Sequence, residues 1–381
     1  MKILEVTAFS SGFCGLWARV KKESELLIEK GHEVVVFSSN IHRGSGKIEF
    51  AKEFEKIGKL KVHRFKTKGN FGENTFFWDY EKEAFRFKPD IIICHAYRQY
   101  YSTKAVKIAK KLGVPCILVT HAPFLEKKLR GWKLNAMVWF YDNFIGRRIL
   151  NKYSRIFIIT KWETPYLIEL DVKKEKIVYM PNGVPEEFFN IKIPKPKNKK
   201  NKEILFLGRI APIKDVETLI RAFSLVLEKE KSVVINFVGP IEEEYGLKIK
   251  DLIKKLKLDK KINFLGPVFD LKKKMNLIDS SDVFVLSSKR EGMPQSLVEV
   301  MAREKIVISS DIQAGKEVIE DGNNGYLFKV GNENKLAEKI LRGLKNSEEN
   351  KKIRKNARKA VEKFSWNKLI DEIDEILKSL I

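Results

Sequence analysis

Cysteine is scarce: Cys14, Cys94 and Cys116 are the only three in 381 residues, and they stand far apart. No C-x-x-C pair occurs, so neither a zinc site nor a disulfide framework is indicated, and the three read as reduced thiols of a cytoplasmic protein. Long apolar runs are also missing. No stretch of about 18 apolar residues exists, which argues against a membrane-spanning helix. The opening Met-Lys-Ile-Leu-Glu-Val places Glu5 where a signal peptide needs an apolar core, so the segment reads as a first strand. Prolines number 12, and no low-complexity tract suggests disorder. Acidic residues are under-represented, 50 against 74 basic, for a formal charge of +24. That excess fits a nucleic-acid partner, an anionic membrane surface or simply a solvated lysine-rich surface. No zinc-finger spacing or aromatic–basic RNA-binding signature is present, so no nucleic acid is expected.

What is present is length and alternation. A chain of 381 residues, 44% of them hydrophobic, suits two domains with separate cores. Short apolar, β-rich runs alternate with amphipathic stretches, which predicts parallel sheets covered by helices. In the first half, strands are expected at Lys2–Thr7, Glu33–Ser38, Asp90–Cys94, Pro115–Thr120, Arg155–Ile159 and Ile177–Met180, with a helix over Leu16–Lys30 closed by Gly31. Residues 191–202, charged and holding two prolines, read as a linker. The pattern restarts with strands at Glu203–Leu207, Val233–Val238, Lys261–Leu265, Val283–Leu286, Ile306–Ser309 and Gly325–Phe328, and a last helix follows at Trp366–Leu380. There is no fixed-period repeat. The expected organisation is an N-terminal domain, 1–190, joined by the 366–381 helix, and a C-terminal domain, 203–365.

Two stretches carry chemistry. In Leu207-Gly208-Arg209-Ile210-Ala211-Pro212-Ile213-Lys214, a strand ends, Gly208 turns the chain, and two cations project from the carboxyl edge of the sheet. Two fixed cations suit a diphosphate, although a cation at a strand end is also an ordinary surface feature. In Ser287-Ser288-Lys289-Arg290-Glu291-Gly292-Met293-Pro294-Gln295-Ser296-Leu297-Val298-Glu299, a buried strand runs through a tight turn into a helix. Pro294 suits the first helical turn. The free N–H groups near Gln295, Ser296 and Leu297 would form an anion site. Glu291 and Glu299 could border one cleft, where a carboxylate accepting from neighbouring hydroxyls suits a ribose or a sugar. A helix cap beside a solvated glutamate is the plainer alternative.

The second stretch resembles the E-x7-E signature of the retaining glycosyltransferases of family 4, which have the GT-B fold. Others resemble the same family in order: Gly31-His32-Glu33-Val34, Val119-Thr120-His121, Pro181-Asn182-Gly183-Val184, Gly208-Arg209 with Lys214, and Gly315-Lys316-Glu317-Val318 with Asp321-Gly322-Asn323-Asn324-Gly325. The resemblance implies an α/β fold of two Rossmann-like, doubly wound parallel-sheet domains facing across a cleft. It implies that Arg209 and Lys214 hold the diphosphate of a nucleotide-sugar donor, Glu299 the ribose, and Glu291 the transferred sugar, with N–H groups near Gln295–Leu297 cradling the anion. His121 would touch the sugar, and no metal or cofactor would be required. The loop after the first strand lacks the family's adjacent glycines, leaving Gly15 to approach the phosphate. Gly292-Met293-Pro294-Gln295 replaces the commoner G-F-G form.

His95, Tyr97 and Arg98, at a strand end, are candidates for an acceptor site. His32 reads as turn structure, and Asn182 and Gly183 as shaping a loop. Basic and aromatic residues alternate over 124–141, as on a helix lying on an anionic bilayer or with aromatics in a core. The aromatic segment 70–80 is an acceptor loop or a packed connection. The expected activity is transfer of a hexose-like sugar to a hydroxyl of a glycan, lipid-linked or small-molecule acceptor, by a cytoplasmic protein that associates peripherally with the membrane. An epimerase or phosphorylase of the same fold, or a non-catalytic basic binding protein, are the rivals.

Overall fold

The computed structural model describes residues 1–12, 14–43, 49–71, 75–124, 131–194 and 199–381. The chain divides into two compact units, one of Met1–Gly183 with Trp366–Ile381, the other of Val184–Ser365.

The first unit is built on an eight-stranded sheet. Its strands are β1 (Lys2–Thr7), β2 (Glu33–Ser39), β5 (Phe54–Ile57), β6 (Leu60–Phe65), β9 (Ile91–His95), β10 (Cys116–Val119), β11 (Arg155–Ile158) and β12 (Ile177–Tyr179). Two small antiparallel pairs lie outside it, β3 (Ile41–His42) with β4 (Glu49–Phe50), and β7 (Gly69–Phe71) with β8 (Thr75–Phe77). The sheet order is β12-β11-β10-β9-β1-β2-β6-β5, parallel throughout except for the edge strand β5. Central strands such as β9, Ile-Ile-Ile-Cys-His, are buried along their whole length. Unbroken apolar runs of this kind mark a parallel sheet covered on both faces. The order reverses at β1, so the topological switch point falls between β1 and β9.

The strands β5 and β6 have no counterpart in the sequence reading. β6 alternates buried and more exposed residues, Leu-Lys-Val-His-Arg-Phe, and its lysine, histidine and arginine mask the period of two. Gly58, at φ +58°, turns the two-residue loop between Ile57 and Leu60. Part of the aromatic segment 70–80 is packed into the unit, while Phe77 is exposed. Phe76, Trp78 and Tyr80 are buried, and Trp78 stacks on Phe65 with centroids 5.6 Å apart; residues 72–74 lie outside the described residues. The helix Trp366–Ser379 belongs to this unit, where Asp374 Oδ1 bonds His32 Nε2 at 2.7 Å. Gly183 lies so close to Trp366 that a Cβ there would meet the indole at 2.2 Å.

The second unit holds a six-stranded sheet of β13 (Lys202–Leu207), β14 (Val233–Val238), β15 (Ile262–Phe264), β16 (Val283–Leu286), β17 (Ile306–Ser310) and β18 (Tyr326–Phe328). All are parallel, in the order β15-β14-β13-β16-β17-β18. The helix Val216–Lys229 buries Leu219, Ile220, Phe223 and Val226. The switch point here lies between β13 and β16, whose carboxyl ends lead into the two stretches read above as chemical. Residues 184–194 and 199–201 belong to this unit. The helix Glu187–Asn190 buries Phe188, and Arg303 donates to Phe188 O and Ile191 O. Residues 195–198 of the expected linker lie outside the described residues.

Candidate functional site

At the end of β13, Gly208 and Gly239 allow two chain segments to touch. A Cβ on Gly239, itself at φ +144°, would meet Gly208 O at 2.0 Å. Beyond Gly208 the chain forms a short turn, Pro212–Lys214, closed by Asp215 at φ +47°. Asp215 accepts from Thr218 Oγ1 at 2.7 Å. Two hydrogen bonds tie this turn to the loop after β16: Lys289 N–H donates to Ile213 O at 2.9 Å, and Ser287 Oγ to Lys214 O at 2.9 Å. Ser310 at the end of β17 in turn donates to Ser288 O at 2.5 Å. The two loops are therefore held edge to edge, and their side chains meet.

Lys214 Nζ lies 2.5 Å from Glu291 Oε1, which also accepts from Ser288 Oγ at 2.6 Å. The pair is partly buried, with side chains 19% and 12% exposed. A lysine held over a carboxylate in this way presents a cation that can exchange its partner for a phosphate oxygen. Glu299, buried in the helix Gln295–Ala302, is held by Lys274 at 2.8 and 2.9 Å. Arg209 is exposed and pairs with Glu242 at 2.8 Å. The structure thus brings Lys214 and Glu291 together, and gives Arg209 and Glu299 other partners, Glu242 and Lys274, that the sequence reading missed. Lys274 stands among the lysines of 272–274, which a sequence offers no means of telling apart. Ser288 had a signal, as one of the small polar residues ending a buried strand.

The helix entry differs from expectation. Pro294 is the N-cap and not the first helical residue. The N–H groups of Gln295 and Leu297 donate to Met293 O and Pro294 O at 2.9 and 3.0 Å, so neither is free for an anion as the turn stands. Leu297 is wholly buried. In the first unit, Gly15 opens the helix Gly15–Glu29 after an N-cap Cys14 whose side chain makes no capping bond, and a Cβ on Gly15 would meet nothing within 4 Å.

The acceptor candidates need correction. His95 and Tyr97 are 0% and 4% exposed, so neither side chain is presented to a ligand. Tyr97 Oη donates to Asp142 at 3.0 Å, and Arg98 grips the same carboxylate through Nε and Nη2 at 2.8 and 2.6 Å, with Nη1 on Pro123 O at 2.9 Å. Tyr97 and Arg98 fasten a loop to the π-helical segment Tyr141–Gly146. His95 bonds Glu5 on one side, at 2.6 Å, and His121 on the other, at 3.0 Å.

His121 sits beyond β10 at φ +58°, followed by Ala122 at φ +50°. Two successive left-handed residues other than glycine cost about 1–2 kcal/mol each and persist only where their surroundings hold them. Glu163 holds the second of them, and His121 itself bonds His95. Glu163 is buried and accepts from Ala122 N–H at 3.1 Å with one oxygen, and from Ile159 N, Thr160 N and Thr160 Oγ1 at 2.9, 3.1 and 3.1 Å with the other. Burial pushes its carboxyl up to about 7, against these bonds. Among the described residues, no group of three or more histidines, cysteines or carboxylates is placed to hold a metal.

Two family models match this chain in succession: Glycosyltransferase Family 4 over residues 15–188 and Glycosyl transferases group 1 over residues 187–360. The chain is a group 1, family 4-type glycosyltransferase. An uncharacterised glycosyltransferase of Methanocaldococcus jannaschii is 27% identical over 389 residues, covering 96% of this chain and 95% of its own. The capsular polysaccharide biosynthesis glycosyltransferase CapM of Staphylococcus aureus is 23% identical, covering 76% and 80%. Among solved structures, Anabaena HepE in complex with UDP matches the whole of both chains with a TM-score of 0.78 at 17% identity, and HepE in complex with UDP-glucose does so at 0.75. At that identity the likeness is one of fold. This glycosyltransferase has the GT-B fold, in which both doubly wound units are accounted for.

Proposed function

We propose that this glycosyltransferase moves a hexose-like sugar from a nucleoside diphosphate to a hydroxyl with retention of configuration. The second unit takes the donor and the first the acceptor. The observation that carries this reading is the Lys214–Glu291 pair at the switch point between β13 and β16, where open α/β sheets take their ligands. Lys214 and Arg209 hold the diphosphate, Glu299 the ribose, and Glu291 a sugar hydroxyl, while the main chain at Ser296 borders the phosphates. The binding of UDP and UDP-glucose by HepE supports a nucleotide-sugar donor.

In the proposed reaction the bond from the anomeric carbon to phosphate oxygen breaks, and the acceptor oxygen bonds to the same face. The acceptor proton passes to the departing diphosphate, whose charge the two cations stabilise. Such catalysis rests on positioning and preorganised charge, without a protein nucleophile or a required metal. The test is the anomeric configuration of the product by proton NMR, with and without chelator. Retention at an unchanged rate is expected; an inverted anomer, or loss of activity with chelator, would contradict it.

The acceptor reading is a lipid-linked or membrane-proximal one. The helix Trp132–Phe140 buries none of its residues, and Trp132, Trp139, Phe140 and Phe144 are 76%, 60%, 56% and 45% exposed beside Lys133 and Arg148. Residues 125–130 of that region lie outside the described residues; Phe124 is buried against Tyr166. No described helix is long and apolar enough to cross a membrane. Exposed tryptophans beside cations suit the surface of an anionic bilayer. Co-sedimentation with anionic vesicles that falls at least tenfold in Trp132→Ala/Trp139→Ala is expected; equal sedimentation of both proteins would refute this part.

A further inference from the structure

Glu5, His95 and His121 form a file of hydrogen bonds in the first unit. Glu5 Oε2 lies 2.6 Å from His95 Nε2, and His95 Nδ1 lies 3.0 Å from His121 Nε2. Glu5 and His95 are 0% exposed, while His121 is partly exposed. His121 Nδ1 makes no hydrogen bond to a described residue. A neutral imidazole has one donor and one acceptor nitrogen. His95 uses both, so the file has two self-consistent proton arrangements. With Glu5 as the neutral acid, Oε2–H donates to His95 Nε2, His95 Nδ1–H donates to His121 Nε2, and the His121 proton sits on Nδ1. With Glu5 as the carboxylate, every proton moves one place: His95 Nε2–H donates to Glu5, His121 Nε2–H donates to His95, and His121 Nδ1 is bare. The two differ by one proton, which enters or leaves at His121 Nδ1.

The surroundings choose between them. Glu5 Oε1 is buried without a partner among the described residues, which a carbonyl oxygen tolerates at less cost than half a carboxylate. The charged groups facing the file are Arg19 and Glu23 of the helix Gly15–Glu29, an ion pair at 3.0 Å, and Arg19 is committed through Nη1 to Met180 O, Pro181 O and Asn182 Oδ1. Tyr101 faces it from the helix Tyr100–Leu112, its hydroxyl donating to His95 O at 2.7 Å. Burial pushes Glu5 up to about 8, with Arg19 opposing, and pushes His95 down to about 3. Burial and His95 hold His121 well below the usual range as well.

We propose that Glu5, acting through His95, sets the tautomer of His121, making Nδ1–H a hydrogen-bond donor while Glu5 is neutral and Nδ1 an acceptor once Glu5 ionises. Glu5 and His95 are positioning residues, which explains why β1 and β9 carry ionisable groups in an otherwise apolar sheet interior. The consequence for transfer rests on the reading that His121 touches the sugar: a donor at Nδ1 suits a sugar oxygen, and loss of that donor lowers turnover.

The test is 15N NMR of the histidine rings in the intact protein, with His121 assigned through His121→Gln. At pH 6.5 the wild type should show a protonated Nδ1 and a bare Nε2, and above Glu5's ionisation the reverse. In Glu5→Gln the amide N–H₂ replaces the acid as donor to His95, so the Nδ1–H form should persist at both pH values, and the alkaline fall in kcat should disappear. A wild-type ring already protonated on Nε2 at pH 6.5, or one insensitive to pH, overturns the proposal even if Glu5→Gln fails to fold. If His121→Gln leaves kcat unchanged while the tautomer switches as described, it is the sugar-contact reading that fails and the relay that stands.

Discussion

Replacing Lys214 by methionine keeps the length of the side chain and removes its charge. In the free protein Lys214 sits 2.5 Å from Glu291, and both are only partly exposed, so neither charge is well screened by water. The variant leaves Glu291 with the Ser288 hydroxyl and without that cation, beside the position proposed for the diphosphate. A hydrogen bond to a charged group contributes about 1.5–3 kcal/mol, and about 1.4 kcal/mol is a factor of ten. UDP binding by calorimetry should therefore weaken about 10- to 100-fold in Lys214→Met, with repulsion from Glu291 pushing toward the upper figure. Glu291→Gln should bind UDP at least as well as wild type, because Lys214 loses its competitor, while its kcat falls. The double variant should bind UDP more tightly than Lys214→Met alone, a non-additivity expected of residues in contact. UDP affinity within about threefold of wild type in Lys214→Met would refute the assignment.

Gly239→Ala should destabilise the second unit by about 2 kcal/mol or more, since its Cβ meets the Gly208 carbonyl and its φ of +144° disfavours a side chain; urea unfolding reports it. Glu163→Ala leaves the N–H groups of Ala122, Ile159 and Thr160 without their acceptor, at about 1 kcal/mol or more each, so a loss of about 3 kcal/mol in unfolding free energy is expected. Glu5 carries a pH signature. Its native pKa is raised from 4.5 to about 8, so its stabilising contribution is complete below pH 4.5 and is lost as pH rises to about 8. Relative to Glu5→Gln, wild-type stability should fall across that window by up to about 1.4 kcal/mol per pH unit, and parallel curves would contradict it.

The parallel strands were legible because burial on both faces writes itself as unbroken apolar runs, as in Ile-Ile-Ile-Cys at β9 and Val-Phe-Val-Leu at β16. β6 was not, because Arg64 takes a buried place in its alternation, where an apolar residue would have shown the period of two. Lys214 and Glu291 stood out in the sequence because each follows a strand end closely, and the fold brings the two together. The anchoring of Glu299 and of Ala122 was not legible: Lys274 reaches Glu299 across 25 residues and Glu163 reaches Ala122 across 41, distances over which one sequence holds no pairing information. His95 was misplaced for the same reason. A histidine at a strand end looks like a ligand residue, and only the fold shows that Glu5, 90 positions earlier, lies against it.

The central claim is that the second unit takes a nucleoside diphosphate donor through the switch-point edge of its sheet. Thermal denaturation with UDP, GDP, ADP and CMP, on wild type and Glu299→Ala, tests it most directly. A ligand at about 100 times its Kd stabilises by about 2.7 kcal/mol, so one diphosphate should raise the wild-type midpoint by a few degrees and leave Glu299→Ala unmoved. A wild type indifferent to all four at pH 7 and low salt, or a Glu299→Ala protein shifted as far as the wild type, would contradict the account.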